Sequence, residues 1–404
     1  MRYSSRTEQV AGRGSEAWHL HFLASERKRA GHPVIFLTVG EPDFDTPPVV
    51  VDAAVASMRA GNTHYTEIVG PLALRQAVAD WHEQTTGQRV QPSQVVVAAG
   101  AQNALFCTMQ MLVGPGDEVI SPDPAYSTYE AVVGAAGGRM VQVPLDPDRG
   151  FHIDLAALAR AVTPRTRAIL INTPHNPTGA VMTREEVEAV AAIAKANDLW
   201  LISDEVYASL SYEKPHISPS SLPGMAERTV VVSSLSKSHA MTGWRVGWAI
   251  GPQQLADHLQ NLLMCMLYGS PGFIQQAGIV AIREASSEIA TMREAYRRRR
   301  DLVAPWLDRL PGLACRLPDG GMFAMADCRG SGLTSQDFAR RLLDEENVAL
   351  LPADGFGIQG EGFLRLSLGL PDDVLAEACR RIEAFCTRQN SPAISAAGTR
   401  RASA

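Results

Sequence analysis

Paired cysteines are the first thing this 404-residue chain lacks: its six cysteines include no C-x-x-C, and the spacing of Cys379 and Cys386 does not suit a zinc ribbon. No metal site is therefore expected, and free thiols in a reducing compartment fit best. An apolar targeting segment is missing behind Met1, and no uncharged apolar run reaches the length of a bilayer, so the expectation is a cytoplasmic protein without a membrane partner. Positive charge is not in excess either: a formal net charge of −6 gives no global attraction to nucleic acid. No G-x-G-x-x-G follows the first strands, which argues against a nicotinamide enzyme. Internal repeats are absent. The one basic run, Arg297 to Arg300, sits in a helical pattern with acidic residues interleaved and reads as a solvated helix face.

What is present is enough apolar side chain, 46% against 20% charged, to bury one large core or two moderate ones. Short Val/Ile-rich runs alternate with helical patterns. The runs lie at Val95 to Ala99, Glu118 to Ser121, Met140 to Val143, Ala168 to Asn172, Leu199 to Ser203, Thr229 to Ser233 and Val246 to Ile250. Runs of this kind without alternation are what strands covered on both faces look like. The fold class is thus α/β, with a mostly parallel seven-stranded sheet in a large domain over 49–290. A smaller α+β domain is expected from 1–48 and 291–387, with a helix over Ser335 to Glu346 and a disordered tail at 388–404. In such sheets the functional residues gather at the carboxyl ends of the strands.

The polar motifs fall at those ends. Gly100-Ala101-Gln102 follows one strand and opens a helix, offering free backbone N–H groups to a phosphate; an ordinary strand-to-helix turn is the plain alternative. Lys237 lies in Ser234-Leu-Ser236-Lys-Ser-His-Ala-Met-Thr-Gly-Trp-Arg245, a lysine able to condense with a carbonyl, flanked by hydroxyls and a guanidinium that suit a phosphate. Asp204, in Ser203-Asp-Glu-Val-Tyr207, needs a cationic partner at the end of an apolar strand, and a protonated pyridine nitrogen supplies one; a helix N-cap is its plain reading. Tyr207 is a candidate donor to the ring's phenolic oxygen. Asn176 is aimed by the turn His175-Asn-Pro-Thr-Gly179 and can bond both ring oxygen and substrate carboxylate. Tyr126 is placed to stack on a planar ring, or merely to pack under its turn. Arg365, alone in an apolar strand, calls for an anion: an α-carboxylate or an internal salt bridge. Together these make Lys237, Asp204 and Tyr207 the catalytic candidates and pyridoxal 5'-phosphate the cofactor.

With Gly40-Glu-Pro-Asp-Phe-Asp-Thr-Pro47, Tyr65 and Gly70 added in order, the chain resembles the class I/II aminotransferases of the pyridoxal phosphate fold type I, from about Phe36 to Phe385. The resemblance implies a homodimer with shared sites at the subunit interface, to which it assigns Ser270 and Tyr65, the latter reaching the phosphate of the partner's cofactor, with Gly40 near substrate. Aspartate-specific relatives carry a cation that is missing here: Gln102 stands where one subgroup has lysine, and no Lys or Arg lies between Asn261 and Phe273. More closely, His64-Tyr65, Ser221 to Ala226, Ser234 to Trp248, Cys265 to Pro271 and Met292 to Val303 are similar to bacterial transaminases that pair arginine with pyruvate. That implies a guanidino donor, or a cyclic one of the enduracididine type, with a 2-oxo acid such as pyruvate as acceptor. Glu67 is the candidate carboxylate for the guanidinium, against a plain exposed loop glutamate. Rival activities on the same scaffold are an aminotransferase of broad, neutral or aromatic specificity and a C–S lyase.

Overall fold

The computed structural model describes residues 1–4, 6–11 and 18–389. After a two-residue strand, β1 (Ile35–Phe36), the apolar runs become β2 (Val95–Ala98), β3 (Glu118–Asp123), β4 (Arg139–Asp146), β5 (His152–Ile153), β6 (Thr166–Asn172), β7 (Trp200–Asp204), β8 (Thr229–Ser234) and β9 (Gly247–Ile250). Strands β2 to β9 form one sheet in the order β2-β9-β8-β7-β6-β3-β4-β5. The central neighbours β4, β3, β6, β7 and β8 pair in parallel, whereas β9 is antiparallel to both β8 and β2. The α/β expectation holds, with eight strands in place of seven. The extra one, β5, is a two-residue return antiparallel to β4 across the turn Pro147–Arg149, too short to leave a pattern in the sequence.

Alternate residues of each run feed opposite cores. Val96 and Ala98 pack with Leu105, Met109 and Val119 on one face, while Val95 and Val97 pack with Leu74, Trp248 and Ala277 on the other. Ala168 and Leu170 likewise part from Ile169 and Ile171. Such two-sided burial is why the strands read as continuous apolar runs rather than as alternating ones.

A second core is built on β10 (Ala314–Cys315), β11 (Phe323–Asp327), β13 (Leu351–Pro352) and β14 (Phe363–Ser367), an antiparallel sheet in the order β10-β11-β14-β13. Strand β12 (Val348–Ala349) pairs in parallel with β1, and Leu20, Ala24 and Leu37 join Phe338, Leu343, Leu366 and Phe385 in this core. The short helix Arg6–Gln9 lies instead against the large domain, where the Gln9 carbonyl abuts Gly134. The helix Ser286–Asp308 runs across position 290 without a break, and Ser335–Glu346 has the bounds expected of it. The last helix, Asp372–Gln389, extends two residues beyond 387; the rest of the expected tail, 390–404, lies outside the described residues.

The basic run departs from its reading. Arg297 and Arg298 are exposed, but Arg299 and Arg300 are 5% and 2% exposed. Four consecutive residues at 100° apiece sweep the whole helix circumference, so the run cannot share one face. Arg299 grips Asp43 bidentately at 2.7 and 2.8 Å and also meets Asp372, while Arg300 pairs with Glu213 and Asp301. Among the described residues no disulfide forms, no group of His, Cys, Asp and Glu could hold a metal, and no helix is long and apolar enough to cross a membrane.

Candidate active site

Strands β2, β6, β7 and β8 all end at one cavity of about 160 Å³. Its walls include Ala101, Gln102, Tyr126, Asn176, Asp204, Tyr207, Ser234, Ser236, Lys237 and Arg245, brought together from 145 positions of sequence. At one end Gly100, with φ of +84°, turns the chain from β2 into the helix Ala101–Leu112. The turn must be glycine on two counts: the positive φ, and an Arg245 guanidinium so close that a Cβ would sit 2.5 Å from it. Arg245 is anchored on the carbonyls of Ala99 and Thr242, at 3.2 and 2.9 Å. Ser234 caps the short helix Leu235–Ser238 by accepting from the Ser236 amide. This end joins a helix N-terminus, two hydroxyls and a guanidinium, the chemistry of a phosphate seat.

At the other end Asp204 closes β7. Its Oδ2 accepts from the Tyr129 hydroxyl at 2.7 Å and its Oδ1 from the Val206 amide at 3.3 Å, but no Lys, Arg or His among the described residues pairs with it. Burial pushes the carboxyl up to about 6. The side chain is a buried anion waiting for a cation. Lys237, on the helix that follows β8, is half-buried, and its amine is lowered to about 8 by desolvation. Its Nζ donates to the Gly40 carbonyl. Gly40 begins a strap laid over the lysine: Glu41 accepts from Thr242 at 2.7 Å, Thr46 donates to the Ala240 carbonyl at 2.8 Å, and Asp43 is held by Arg299 from the small domain. A side chain at Gly40 would collide with Phe323, its Cβ falling 2.2 Å from the ring.

Tyr207 is buried, its phenol raised by desolvation, and it bonds Asn176. Asn176 in turn accepts from Arg365 Nη1 at 3.2 Å. Arg365 is 2% exposed and lies over Phe323 and Phe356, and its Nη2 donates to the Thr38 carbonyl. Desolvation lowers its guanidinium to about 10. The internal salt bridge weighed for it does not form: no carboxylate among the described residues reaches it, and its Nε has no partner. Tyr126 meets Tyr129 edge to face at 5.5 Å, and Gln102 accepts from Thr128 at 3.0 Å.

Two candidates stand apart from this cavity. Tyr65 is 86% exposed and packs edge-on against Tyr268, and Glu67 pairs with Arg75 at 2.9 Å. Arg75 is itself fixed by the carbonyls of Gly70 and Pro92. The loop carrying both is tied to the next by the Thr66 hydroxyl on the Ser270 carbonyl, at 3.0 Å. The Ser270 hydroxyl is buried without a partner. Three contributors escaped the sequence reading. Tyr129 opens the helix Tyr129–Ala135, three residues after Tyr126, and Asn172 is the polar end of an apolar run. Gly247 left no signal: its need for a bare Cα appears only where the start of β9 packs on the turn that follows β2, with a Cβ 2.5 Å from the Gly100 carbonyl carbon.

The donors present fit pyridoxal phosphate. A phosphate seat, an uncompensated buried carboxylate and a half-buried amine of reduced basicity share one cavity, and each meets a demand of that cofactor. Comparison with known proteins agrees. Residues 32–382 match the family described as aminotransferase class I and II. The chain is 52% identical over 389 residues to the arginine–pyruvate transaminase AruH of Pseudomonas aeruginosa, covering 96% of this chain and 99% of that one. A double mutant of Thermus thermophilus aspartate aminotransferase superposes with a TM-score of 0.90 at 36% identity, over 95% of this chain and all of the other. The aromatic aminotransferase of Pyrococcus horikoshii gives 0.86 at 36%, over 91% and 99%. The α/β architecture is accordingly that of fold type I, and the chain belongs to the class I and II aminotransferases as a pyridoxal phosphate-dependent transaminase.

Proposed function

We propose that this transaminase takes the amino group from a guanidino amino acid, arginine-like or cyclic, and delivers it to a 2-oxo acid such as pyruvate, working as a cytoplasmic homodimer. The observation that carries the substrate class is the 52% identity to an arginine–pyruvate transaminase over nearly the full length of both chains. The uncharged Gln102 in the cavity supports it, since a dicarboxylate donor calls for a cation there. Pyridoxal phosphate, when bound, supplies the electron sink that makes the donor's α-proton removable.

The roles of the chain's own residues follow from their environments. Ala101, Gln102, Ser234, Ser236 and Arg245 hold the phosphate, joined by Tyr65 from the partner copy. Asp204 holds the ring nitrogen in its protonated form, because the buried carboxylate has no other cation among the described residues. Tyr126 stacks on the ring, while Tyr207 and Asn176 bond its oxygen. Arg365, with no acid partner among the described residues, receives the α-carboxylate with Asn176 and with Gly40 close by. Lys237 anchors the cofactor and then, as a neutral amine, takes the proton from the donor's Cα and returns one at the carbon that accepts the nitrogen. An amine at about 8 is neutral in a useful fraction near neutral pH. Glu67 is assigned to the guanidinium.

A panel of amino donors with pyruvate and 2-oxoglutarate as acceptors tests the reading. Arginine-like donors should give the highest kcat/KM, and Lys237→Ala should show no turnover with any of them. A preference for aspartate would overturn the guanidino assignment. An optimum at neutral or aromatic donors would favour the broad-specificity alternative, and ammonia release without an acceptor would mark a lyase.

A further inference from the structure

Glu205 directly follows Asp204 yet does not line the cavity. Its side chain is 5% exposed, with Oε1 accepting from Ser203 at 2.9 Å and from Ser218 at 2.6 Å. Its Oε2 lies within ion-pair distance, 3.2 Å, of Nε2 of His216, a ring 8% exposed neither of whose nitrogens makes a hydrogen bond among the described residues. The backbone is pinned as well: the Glu205 amide donates to Val232 on β8 at 2.8 Å, and the Ser233 hydroxyl reaches its carbonyl at 3.4 Å. No lysine or arginine among the described residues pairs with this carboxylate. The other titratable groups facing it are Asp204 itself and His82 of the helix Leu72–Thr86, whose Nε2 is engaged with Gln88 at 2.8 Å.

Hydroxyls satisfy a buried carboxylate's lone pairs but bring no charge. Two successive carboxylates in a desolvated site repel each other, and the cheap escape is a proton on one of them. Burial opposes ionisation of Glu205, yet its pKa is held below the usual carboxylate value, first by the charge of His216 and then by hydrogen bonds such as that from Ser218. Glu205 in turn pushes Asp204 upward. From this geometry we infer that His216 and Glu205 form a buried ion pair, neutral as a unit, which sets the electrostatic field behind Asp204 and makes both of them positioning residues for the cofactor ring. The inference rests on the assignment of Asp204 to the ring nitrogen.

The test uses the holoenzyme and the pH midpoint at which the bound cofactor's absorption spectrum changes. Glu205→Gln keeps an oxygen for Ser203 and Ser218 but removes the anion, so the midpoint should fall. His216→Asn leaves the anion uncompensated, so the midpoint should rise. Each shift should be on the order of one pH unit, and the double variant should return close to the parent. A merely structural role moves both single variants the same way, or lowers cofactor content at an unchanged midpoint. Either outcome overturns the inference, as does a double variant that fails to cancel. Should His216→Asn not fold, Glu205→Gln decides alone: a fall supports the pair, and no shift or a rise refutes it. Asp204→Asn run in parallel separates the two levels, because unchanged midpoint and turnover there would remove the Asp204 assignment and the pair's role with it.

Discussion

At the tip of β7 the Asp204 carboxyl titrates near 6 in place of 3.8, and burial is the first cause. A folded-state value above the unfolded one means that the fold holds the proton more tightly. The stabilising contribution is therefore complete below about pH 4 and is lost as the pH rises through 6. In cofactor-free protein Asp204→Asn should abolish a pH-dependent loss of at most about 3 kcal/mol across that window, measured by urea unfolding. Parallel pH profiles for the two proteins would disprove the burial argument. Glu67 poses a different question at the same scale. Its pair with Arg75 is 57% exposed on the glutamate side and so contributes under about 1 kcal/mol to stability. Glu67→Gln should leave unfolding unchanged yet depress kcat/KM for arginine-like donors roughly ten- to a hundredfold, with methionine nearly unaffected. Equal losses for both donors would remove Glu67 from specificity.

Among the elements, the crossing of β9 over the turn that follows β2 fixes the phosphate seat. A Cβ at Gly247 would lie 2.5 Å from the Gly100 carbonyl carbon and 2.6 Å from the Ala101 nitrogen, both of them backbone atoms. Gly247→Ala should displace that turn, destabilise the fold by about 1–3 kcal/mol and weaken cofactor affinity, read by unfolding and by titration with pyridoxal phosphate. Unchanged affinity would mean that the turn is no seat. Much of this level was legible beforehand. Val95, Val231 and Ile169 advertise buried strands because both faces are covered, Gly100 marks a strand-to-helix turn, and Asn176, Asp204 and Lys237 stand out as polar residues at or just past the ends of apolar runs. The remainder depends on contacts between segments far apart in the chain. Strand β5 exists only as a partner for Leu145 and Asp146, Gly247 is constrained by the Gly100–Ala101 backbone, and the burial of Arg299 is decided by Asp43, 256 positions away. No local pattern encodes such pairings.

For the whole molecule, the exposed apolar side chains are the guide. Val49, Val51 and Met58 on one helix, Leu72 on the next, and Met264, Met266, Leu267 and Tyr268 near Tyr65 are all open to solvent in the single chain, a surface suited to a second copy. If Tyr65 serves the partner's site, mixing and reassembling Lys237→Ala with Tyr65→Ala should recover activity that neither has alone. Random pairing gives up to about a quarter of the parental rate, since half the dimers are mixed and each holds one intact site. No recovery in dimers shown to have exchanged would confine each site to one chain. One feature also links the two domains. The carbonyl of Gly40 covers the Lys237 amine, while Asp43, three residues along, is held by Arg299 on the small domain. Drawing Asp43 outward with Arg299 would pull that cover off the amine and let water reach it, easing the desolvation that lowers it, so the reactivity of the lysine is tied to a guanidinium–carboxylate grip outside the cavity.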